Sequence, residues 1–408
     1  MALLSILRLF TSLLSLAVLA TCGYLLWSWY DAPWAFDAQG DIYRAREAWR
    51  LWTGLGLLAW SFLGRFLVLP LLTHRDTRPS RAVRSDGKVT PGATGSELYV
   101  ETHGQAAAPA IVFTHGWGMD STFWNYAKQD LADRFRVIAW DLPGLGKSRL
   151  AANRPVCLPD FAADLGGLLR ATPGGPVVLV GHSIGGMTIQ TLIRDHPEQL
   201  NRVAGVVLLN TTYTNPLKTM IMSGLLRALQ KPVLEPAMHL AKWLHPLVWL
   251  SAWQSYLSGS AHMANRLGFG DFVTASQLEH VTLLATRNPP AVQMKGNLAM
   301  LNWDATGALA RCTVPILVIG GDKDIITKLE ASGVMSGDNP RAQLKVVEDV
   351  NHLGPMERAD LYNDLIADFA LSVQPSATRD LGAGARASAP DGSDRWPQAA
   401  ELRPGAAH

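Results

Sequence analysis

Charged side chains are scarce in this 408-residue sequence, in which Asp, Glu, Lys and Arg together make up 17% of the residues. Soluble domains usually contain about 25% of such residues, and 48% of this chain is hydrophobic. We therefore expect part of the chain to lie in lipid. Because the formal net charge is only +2, no strong electrostatic field favours nucleic acid as a partner.

Cysteine is scarce too. The three cysteines, Cys22, Cys157 and Cys312, are too scattered for a disulfide framework, a CxxC redox pair or a thiolate zinc site. A reducing compartment is the simpler interpretation of so few cysteines. The His-Glu-x-x-His motif of zinc hydrolases is absent as well. The sequence therefore predicts no metal site.

Phosphate-binding loops are also missing from the sequence. Gly146-Lys147-Ser148 resembles the end of a Walker A loop, but Asp141 occupies the position where that loop needs its first glycine. Gly144-Leu145-Gly146 does not complete a dinucleotide fingerprint, because Arg149 stands in place of the third glycine. We therefore expect no nucleotide or other cofactor.

Two long apolar runs lie near the N-terminus. Residues 9–30 carry no charge, and 22 residues of helix are long enough to cross a hydrocarbon core of about 30 Å. Residues 51–72 contain one charged residue, Arg65, whose insertion costs about 2.5–3.5 kcal/mol at mid-membrane. We expect two transmembrane helices within a membrane anchor of residues 1–73. A signal peptide is the alternative for the first run, but its n-region offers only Arg8 and the run is too long.

The basic residues near these runs bear on orientation. Five of them follow the second run, namely Arg75, Arg78, Arg81, Arg84 and Lys88, whereas four acids dilute those between the runs. Because cytoplasmic loops are enriched in Lys and Arg, we expect a multi-pass protein of the inner (cytoplasmic) membrane with its downstream domain in the cytoplasm. If the second run did not span, that domain would lie on the other side.

The rest of the chain has the pattern of an α/β domain between two irregular segments. Residues 74–95 lack periodicity and are expected to form a linker, and residues 373–408, rich in Ala, Gly, Pro and Arg, a disordered tail. Between them, short β-branched runs alternate with helix-length segments, which is typical of a buried, mostly parallel sheet flanked by helices. The runs are Ile111–Thr114, Arg136–Trp140, Val177–Val180, Val203–Leu209, Ile316–Ile319 and Leu344–Val347.

One of these predicted strands leads directly into a G-x-S-x-G motif. The strand Val177–Val180 is followed by Gly181-His182-Ser183-Ile184-Gly185 and then by a helix-like segment. Such a turn is strained and crowded, so the glycines leave room for neighbouring backbone. Ser183 is therefore the candidate nucleophile.

A serine hydroxyl needs a base within hydrogen-bond reach and an acid that orients the base. Asp322 and Asp324 follow the strand Ile316–Ile319, and His352 follows the last strand. Both sites lie at carboxyl ends of strands, where open parallel sheets place their active sites. His352 is the candidate base, and from the residues alone either aspartate is a candidate acid, with Asp304 a more remote one.

With these residues, the sequence resembles the α/β-hydrolase fold superfamily over residues 96–372, in which five separated motifs occur in family order. Gly321-Asp322-Lys323-Asp324 resembles the family's G-x-x-D, which implies that Asp324 is the triad acid. Asn351-His352 begins a segment that resembles the histidine loop. His115-Gly116-Trp117-Gly118 resembles the oxyanion loop, and Asp141–Ser148 resembles the D-x-P-G-x-G-x-S turn.

The resemblance implies a set of roles and a domain organisation. The backbone N–H groups of Trp117 and Ile184 would form the oxyanion hole. Structural support would come from His115, Gly116, Gly181 and Gly185, with His115 a buried buttress rather than a base. The hydrolase core would comprise residues 96–210 and 300–372, with a helical cap, or lid, at residues 211–299.

We therefore expect a serine hydrolase that cleaves a carboxylic ester through an acyl-enzyme. The cap is rich in Met and Trp, which favours an apolar or lipid-like small-molecule acyl substrate, and the N-terminal helices would contact membrane lipid. An acyltransferase, amidase, C–C hydrolase or perhydrolase could use the same triad. A non-catalytic ligand-binding or signalling protein of this fold is the alternative of a different class. The sequence does not specify the oligomeric state.

Overall fold

The computed structural model describes residues 2–82, 84 and 87–374. Residues 375–408, which make up nearly all of the expected disordered tail, lie outside the described residues.

The N-terminal segment forms a helical hairpin. It consists of α1 (Ala2–Tyr30), the short antiparallel strands β1 (Trp34–Phe36) and β2 (Ile42–Arg44), and α2 (Ala48–Leu72). The two helices pack closely, and the Cys22 thiol lies 3.2 Å from the Gly54 carbonyl oxygen. Residues 7–30 and 48–72 are long and apolar enough to cross a membrane.

The hairpin exposes most of its apolar side chains. Trp52 is 69% exposed and Leu71 83% exposed, whereas a core helix of a soluble protein would bury such residues. An exposed apolar surface of this kind is typical of helices that contact lipid.

An eight-stranded sheet forms the centre of the fold. Its strands are β3 (Lys88–Pro91), β4 (Glu97–His103), β5 (Ala110–Thr114), β6 (Arg136–Trp140), β7 (Val177–His182), β8 (Val203–Leu209), β9 (Ile316–Gly321) and β10 (Ala342–Val347). Their order is β10-β9-β8-β7-β5-β6-β4-β3, and only the pairs β3–β4 and β4–β6 are antiparallel. The predicted α/β fold with a mostly parallel sheet is confirmed.

Two of these strands, β3 and β4, are not among the strands predicted from the sequence. β3 lies within the segment interpreted as a linker, and its Lys88 pairs with Val100 of β4. Composition marks residues 74–95 as irregular, but pairing with a neighbouring strand supplies the hydrogen bonds that local propensity does not predict. The central sheet therefore begins at Lys88, upstream of the predicted start of the hydrolase core at residue 96.

Helices pack on both faces of the sheet and in the segment between β8 and β9. They are α3 (Asn125–Leu131), α4 (Leu158–Ala171), α5 (Ile184–Asp195), α6 (Pro216–Thr219), α7 (Ser223–Leu229), α8 (Glu235–Trp243), α9 (His245–Ser258), α10 (Ser260–Arg266), α11 (Ala275–Arg287), α12 (Pro290–Leu301), α13 (Leu329–Gly337), α14 (Gly354–Glu357) and α15 (Ala359–Val373). We refer to α6–α12 as the cap.

Proline positions explain several boundaries within the cap. Pro236, Pro246 and Pro290 lie in the first turn of α8, α9 and α12, where the missing N–H costs nothing. Pro232 lies in a π-helical turn, Gln230–Leu234, that joins α7 to α8. That turn is the bulge that accommodates the proline.

Candidate active site

Ser183 lies at a sharp turn between β7 and α5. Its φ of 53° and ψ of −118° are strained for a residue with a side chain. A Cβ on Gly181 would lie 2.5 Å from the Gly185 carbonyl carbon, and a Cβ on Gly185 would lie 2.2 Å from the Thr114 carbonyl oxygen. Both positions therefore require glycine, and the crowded turn holds the serine at the carboxyl edge of the sheet.

The structure brings Ser183, His352 and Asp324 together. The Nε2 atom of His352 lies 3.0 Å from Ser183 Oγ, and its Nδ1 atom lies 3.0 Å from Asp324 Oδ2. These contacts assign the proton of a neutral imidazole to Nδ1. In this tautomer His352 Nε2 accepts a hydrogen bond from the Ser183 hydroxyl, and Nδ1–H donates one to Asp324 Oδ2. Ser183 is only 3% exposed and His352 is fully buried.

Asp324 is held by several donors besides His352. Its Oδ1 atom accepts hydrogen bonds from the backbone N–H groups of Ile326 and Thr327, and its Oδ2 atom accepts one from the Thr327 hydroxyl, each at 2.8 Å. Burial alone would raise the pKa of this carboxyl, but His352 and these hydrogen bonds outweigh it and lower that pKa to about 2. Asp324 is therefore ionised at neutral pH.

The alternative acids lie elsewhere. Asp322 is exposed, and its Oδ1 atom accepts a bond from the Val350 N–H at 3.3 Å. Asp304 accepts hydrogen bonds from Thr214 and from the Thr306 N–H, away from His352. Of the three candidates, only Asp324 reaches the imidazole.

Two backbone N–H groups belong to the expected oxyanion hole: that of Trp117, in the loop after β5, and that of Ile184, the first residue of α5 and the residue after Ser183. Within the described residues, the N–H groups of Trp117 and Ile184 donate to no protein acceptor, so both are free to bind an oxyanion. A Cβ on Gly116 would lie 2.6 Å from His182 Nδ1, so this loop also needs its glycine. The Trp117 indole N–H donates to the Gln293 carbonyl oxygen of α12 at 3.1 Å, which ties the loop to the cap.

His115 supports this loop from below. Its Nε2 atom accepts a hydrogen bond from the Leu142 N–H at 3.0 Å, and its Nδ1–H donates to the Gly116 carbonyl oxygen at 2.8 Å. Both ring nitrogens are thus used in structural bonds, and burial lowers the pKa of His115. The side chain therefore connects the loop after β5 to the Asp141–Ser148 turn.

Two buried residues that sequence reasoning missed extend the hydrogen-bond chain behind Asp324. Asn210, at the end of β8, donates from Nδ2 to Asp324 Oδ2 at 3.1 Å and accepts at Oδ1 from the Tyr362 hydroxyl at 2.7 Å. Its φ of 42° lies in the left-handed region, which asparagine tolerates. The strand end was a signal for Asn210, but nothing local marks Tyr362 of α15. The chain runs from Tyr362 through Asn210 and Asp324 to His352.

We expect Tyr362→Phe to lower both stability and turnover. Removal of the hydroxyl leaves the buried Asn210 Oδ1 atom without its donor, which costs about 1–3 kcal/mol of unfolding free energy. The less constrained Asn210 then positions Asp324 poorly, and kcat should fall on the order of 10-fold. Thermal unfolding in detergent and ester hydrolysis measure the two effects. Tyr126→Phe is the matched control, since its buried hydroxyl bonds the Arg78 carbonyl oxygen far from the site; an equal loss of kcat in both variants would contradict a positioning role.

His182 is a further buried residue beside the site. Its Nε2–H donates to the His352 carbonyl oxygen at 2.9 Å, and its ring stacks on Phe123 with centroids 4.9 Å apart. Burial and the neighbouring His352 lower the pKa of His182 to about 3. The imidazole is therefore neutral and holds the histidine loop in place.

A second buried histidine, His280 of α11, joins three parts of the chain. It contacts the Ser80 hydroxyl at 2.7 Å and the Thr122 hydroxyl at 3.0 Å, and burial lowers its pKa to about 4. Because an unfolded histidine binds a proton below about pH 6.5, the unfolded state takes up more protons than the folded state between pH 6.5 and 4. Stability from a neutral histidine is thus fully present above pH 6.5 and is lost as the pH falls toward its folded pKa.

We expect His280 to lower the unfolding free energy by roughly 2–3 kcal/mol when the pH is lowered from 7 to 4.5. Urea unfolding of the detergent-solubilised protein at the two pH values measures the loss. His280→Gln, which keeps a polar side chain, should reduce the loss by that amount, whereas His239→Gln at an exposed position should not. A His280→Gln protein as acid-sensitive as the wild type would contradict this assignment.

Metal coordination is not indicated by the geometry. Among residues 2–82, 84 and 87–374, no group of three or more His, Cys, Asp or Glu side chains is arranged to hold an ion. The arrangement of Ser183, His352 and Asp324 instead suits nucleophilic chemistry at a carbonyl.

Comparison with known proteins places this geometry in context. The sequence profile described as alpha/beta hydrolase fold matches residues 109–359. A RutD protein of Caulobacter sp. (strain K31), whose name ascribes carbamate hydrolysis to it, is 24% identical over 275 residues, which cover 67% of this chain and 95% of the relative.

Two solved structures are similar as well. A thermophilic esterase from Thermogutta terrifontis is 24% identical with a TM-score of 0.51, and the match covers 72% of this chain and all of the esterase. A membrane phospholipase A, described as a bacterial virulence factor, is 19% identical with a TM-score of 0.57 and coverages of 71% and 87%. At these identities the likeness concerns the fold.

Proposed function

We infer that this chain, which belongs to the alpha/beta hydrolase fold family, is a membrane-anchored serine hydrolase that cleaves carboxylic esters of apolar acids. The observation that supports this most directly is the unbroken contact chain from Ser183 through His352 to Asp324, with both imidazole contacts at 3.0 Å. The N–H groups of Trp117 and Ile184, which donate to no acceptor among the described residues, would bind the oxyanion.

In the proposed acylation step, Ser183 Oγ attacks the ester carbonyl carbon while His352 Nε2 takes the hydroxyl proton. The carbonyl oxygen becomes an oxyanion and accepts hydrogen bonds from Trp117 and Ile184. Asp324 stabilises the imidazolium and fixes its orientation. Collapse of the tetrahedral intermediate breaks the bond to the alcohol oxygen, which receives the proton from His352.

Deacylation repeats the sequence with water. His352 takes a proton from the water as its oxygen attacks the acyl carbon, and the same two N–H groups bind the oxyanion. The bond to Ser183 Oγ then breaks, and the serine regains its proton from His352. The products are one carboxylic acid and one alcohol, and the reaction consumes one water.

The membrane part of the proposal rests on α1 and α2. Their lengths and exposed apolar side chains suit two spans, and the excess of Lys and Arg after α2 favours a cytoplasmic hydrolase domain. The core, the cap and the anchor would then be the three working parts of the chain.

A panel of p-nitrophenyl esters from acetate to palmitate tests the proposed function in detergent-solubilised protein. We expect hydrolysis to be fastest for an acyl chain longer than acetyl. We also expect a fluorophosphonate to label Ser183 covalently, with the labelled residue located by peptide mass spectrometry. Labelling without hydrolysis of any ester would leave the nucleophile in place and overturn the ester substrate. The absence of both reactions would favour a non-catalytic ligand-binding protein.

A further inference from the structure

The hairpin and the cap are in direct contact. Ser15 of α1 lies within hydrogen-bond distance of Ser258 of α9 (2.9 Å), and the Gln254 side chain donates to the Ser61 carbonyl oxygen of α2 at 2.9 Å. A Cβ on Gly64 would lie 2.4 Å from the Ser258 carbonyl oxygen, so α2 and α9 approach as closely as glycine allows. The cap is therefore held against the membrane helices.

These contacts occur at a depth that the bilayer would cover. Ser61 lies about 16 Å along α2 from its domain-side end at Leu72. α2 has 25 residues and is only about 7 Å longer than a hydrocarbon core of about 30 Å. With α2 spanning the membrane, the end of α9 thus lies below the lipid headgroups.

The outer surface of α8 and α9 suits such a position. Exposed large apolar side chains cover it, among them Leu240, Trp243 (77% exposed), Leu247 and Leu250. Residues 236–258 contain no Asp or Glu. Tryptophan-rich apolar surfaces without acidic groups are typical of the membrane–water interface. Like the hairpin, α8 and α9 thus expose apolar side chains that lipid could cover.

An apolar cavity of about 170 Å³ lies between α1 and the cap. Leu9 and Ser12 of α1 line one side, and Met238, Ala252, Ala285 and Met294 of the cap line the other. By the same measure a water molecule needs about 10–15 Å³, so the cavity is large enough for an extended chain of methylene groups. We call it the α1–cap cavity.

The inner wall of the α1–cap cavity bonds to the oxyanion loop. Gln293, a lining residue, accepts the Trp117 indole N–H, and Asn288, another, donates to the Gly118 carbonyl oxygen at 3.0 Å. Met294 belongs to one apolar cluster with Ile326, two residues after Asp324. The cavity wall therefore contacts the loop that carries Trp117 and, through Met294, the segment that follows Asp324.

Arg8 is the one charged residue among the described residues that line this mainly apolar cavity. Its Nε atom donates to Asn265 Oδ1, and within the described residues no carboxylate lies within ion-pairing distance of its guanidinium. Its Nη1 atom would lie 4.0 Å from a Cβ on Gly118, next to the oxyanion loop. A partly buried cation without an anion is costly unless a ligand supplies the negative charge.

We propose that a membrane phosphoglyceride reaches Ser183 sideways from the bilayer, with one acyl chain in the α1–cap cavity and its phosphate at Arg8. This inference rests on the proposed ester hydrolysis and specifies its substrate. Hydrolysis breaks one acyl ester bond; water supplies the second oxygen of the released fatty acid and the proton of the lysophospholipid hydroxyl.

The test uses the full chain in phosphatidylglycerol vesicles that also contain diacylglycerol, with fatty-acid release measured for each lipid. Ala252→Phe, which fills the α1–cap cavity, should lower the ratio of phosphatidylglycerol to p-nitrophenyl acetate turnover at least 10-fold. Ala285→Phe is a second cavity-filling variant in case the first folds poorly. Ala228→Phe, at an exposed position of α7 outside the cavity, should leave the ratio unchanged. Arg8→Met should lower phosphatidylglycerol turnover at least 10-fold relative to diacylglycerol turnover.

Several outcomes would overturn the inference. One is an equal loss of phosphatidylglycerol and p-nitrophenyl acetate turnover in both cavity-filling variants. Another is an unchanged ratio of phosphatidylglycerol to diacylglycerol turnover in Arg8→Met. The third is a wild type that hydrolyses p-nitrophenyl acetate but no vesicle lipid. In each of these cases the ester chemistry survives. A wild type that hydrolyses nothing and takes up no fluorophosphonate would instead refute the proposed function.

Discussion

Ser183→Ala is expected to lower kcat/KM for p-nitrophenyl butyrate on the order of 10³-fold or more. The alanine removes the only atom that can form the acyl-enzyme, while the backbone donors at Trp117 and Ile184 remain. The residual rate should therefore exceed the rate in water, and fluorophosphonate should no longer inhibit it. Hydrolysis by equal amounts of purified wild type and variant, with matched thermal unfolding, measures the effect.

Companion variants show whether the three residues act as a unit. Adding His352→Ala to Ser183→Ala should lower the rate little further, because neither residue works without the other. Asp324→Asn should lower kcat on the order of 10⁴-fold, since the amide cannot hold the imidazole in the required tautomer. Asp322→Asn is the matched control at an exposed position. If Asp322→Asn were as damaging as Asp324→Asn, the acid would be wrongly assigned.

Arg84→Met is expected to lower the unfolding free energy by about 3–5 kcal/mol. The Arg84 guanidinium lies 2.6 Å from an Asp120 carboxylate oxygen, 2.8 Å from one of Asp141 and 3.9 Å from one of Glu101. Asp141 and Glu101 are fully buried. Methionine fills a similar volume but leaves these carboxylates with too little positive charge, because Lys128 bonds only Glu101. Urea unfolding in detergent at pH 7 measures the loss.

The pH dependence of this loss distinguishes electrostatics from packing. Burial alone would raise the pKa of Asp120, but Arg84 outweighs it and lowers that pKa. The stability supplied by the ion pairs is therefore present above the ordinary aspartate pKa and is lost as the carboxylates are protonated at lower pH. The difference between wild type and Arg84→Met should shrink toward pH 3. Arg81→Met, at an exposed position of the same segment, should change stability by less than about 0.5 kcal/mol; a similar loss in both variants would contradict the prediction.

Sequence reasoning succeeded where the signal is local. Gly181 and Gly185 indicate a crowded turn, because a Cβ at either position would clash with backbone, that of Gly185 in the first case and that of Thr114 in the second. The apolar runs predict the central strands because a buried parallel strand is apolar on both faces. The position of His352 after the last strand makes it the candidate base, whereas only the family resemblance favours Asp324 over Asp322.

It failed where a residue acts through a partner far along the chain. The charge pattern marks Arg84 only as a charge that orients the predicted membrane helices, yet Arg84 reaches a carboxylate 57 residues away. Tyr362 bonds Asn210 across 152 residues. β3 exists because β4 lies beside it, and the charge pattern of residues 74–95 carries no trace of that pairing. Such roles depend on the assembled fold and not on local composition.

The contacts between hairpin and cap also constrain how the protein is made. Arg8 and Asn265 are separated by 257 residues, and Ser15 and Ser258 by 243. At a synthesis rate of about 5–20 residues per second, the hairpin waits roughly 10–50 s for its partners to leave the ribosome. During that interval Arg8, Ser15 and Arg65 have none of their partners from the cap. Until the cap is synthesised and docks, the hairpin therefore carries polar side chains that have not yet met the partners they have in the folded protein.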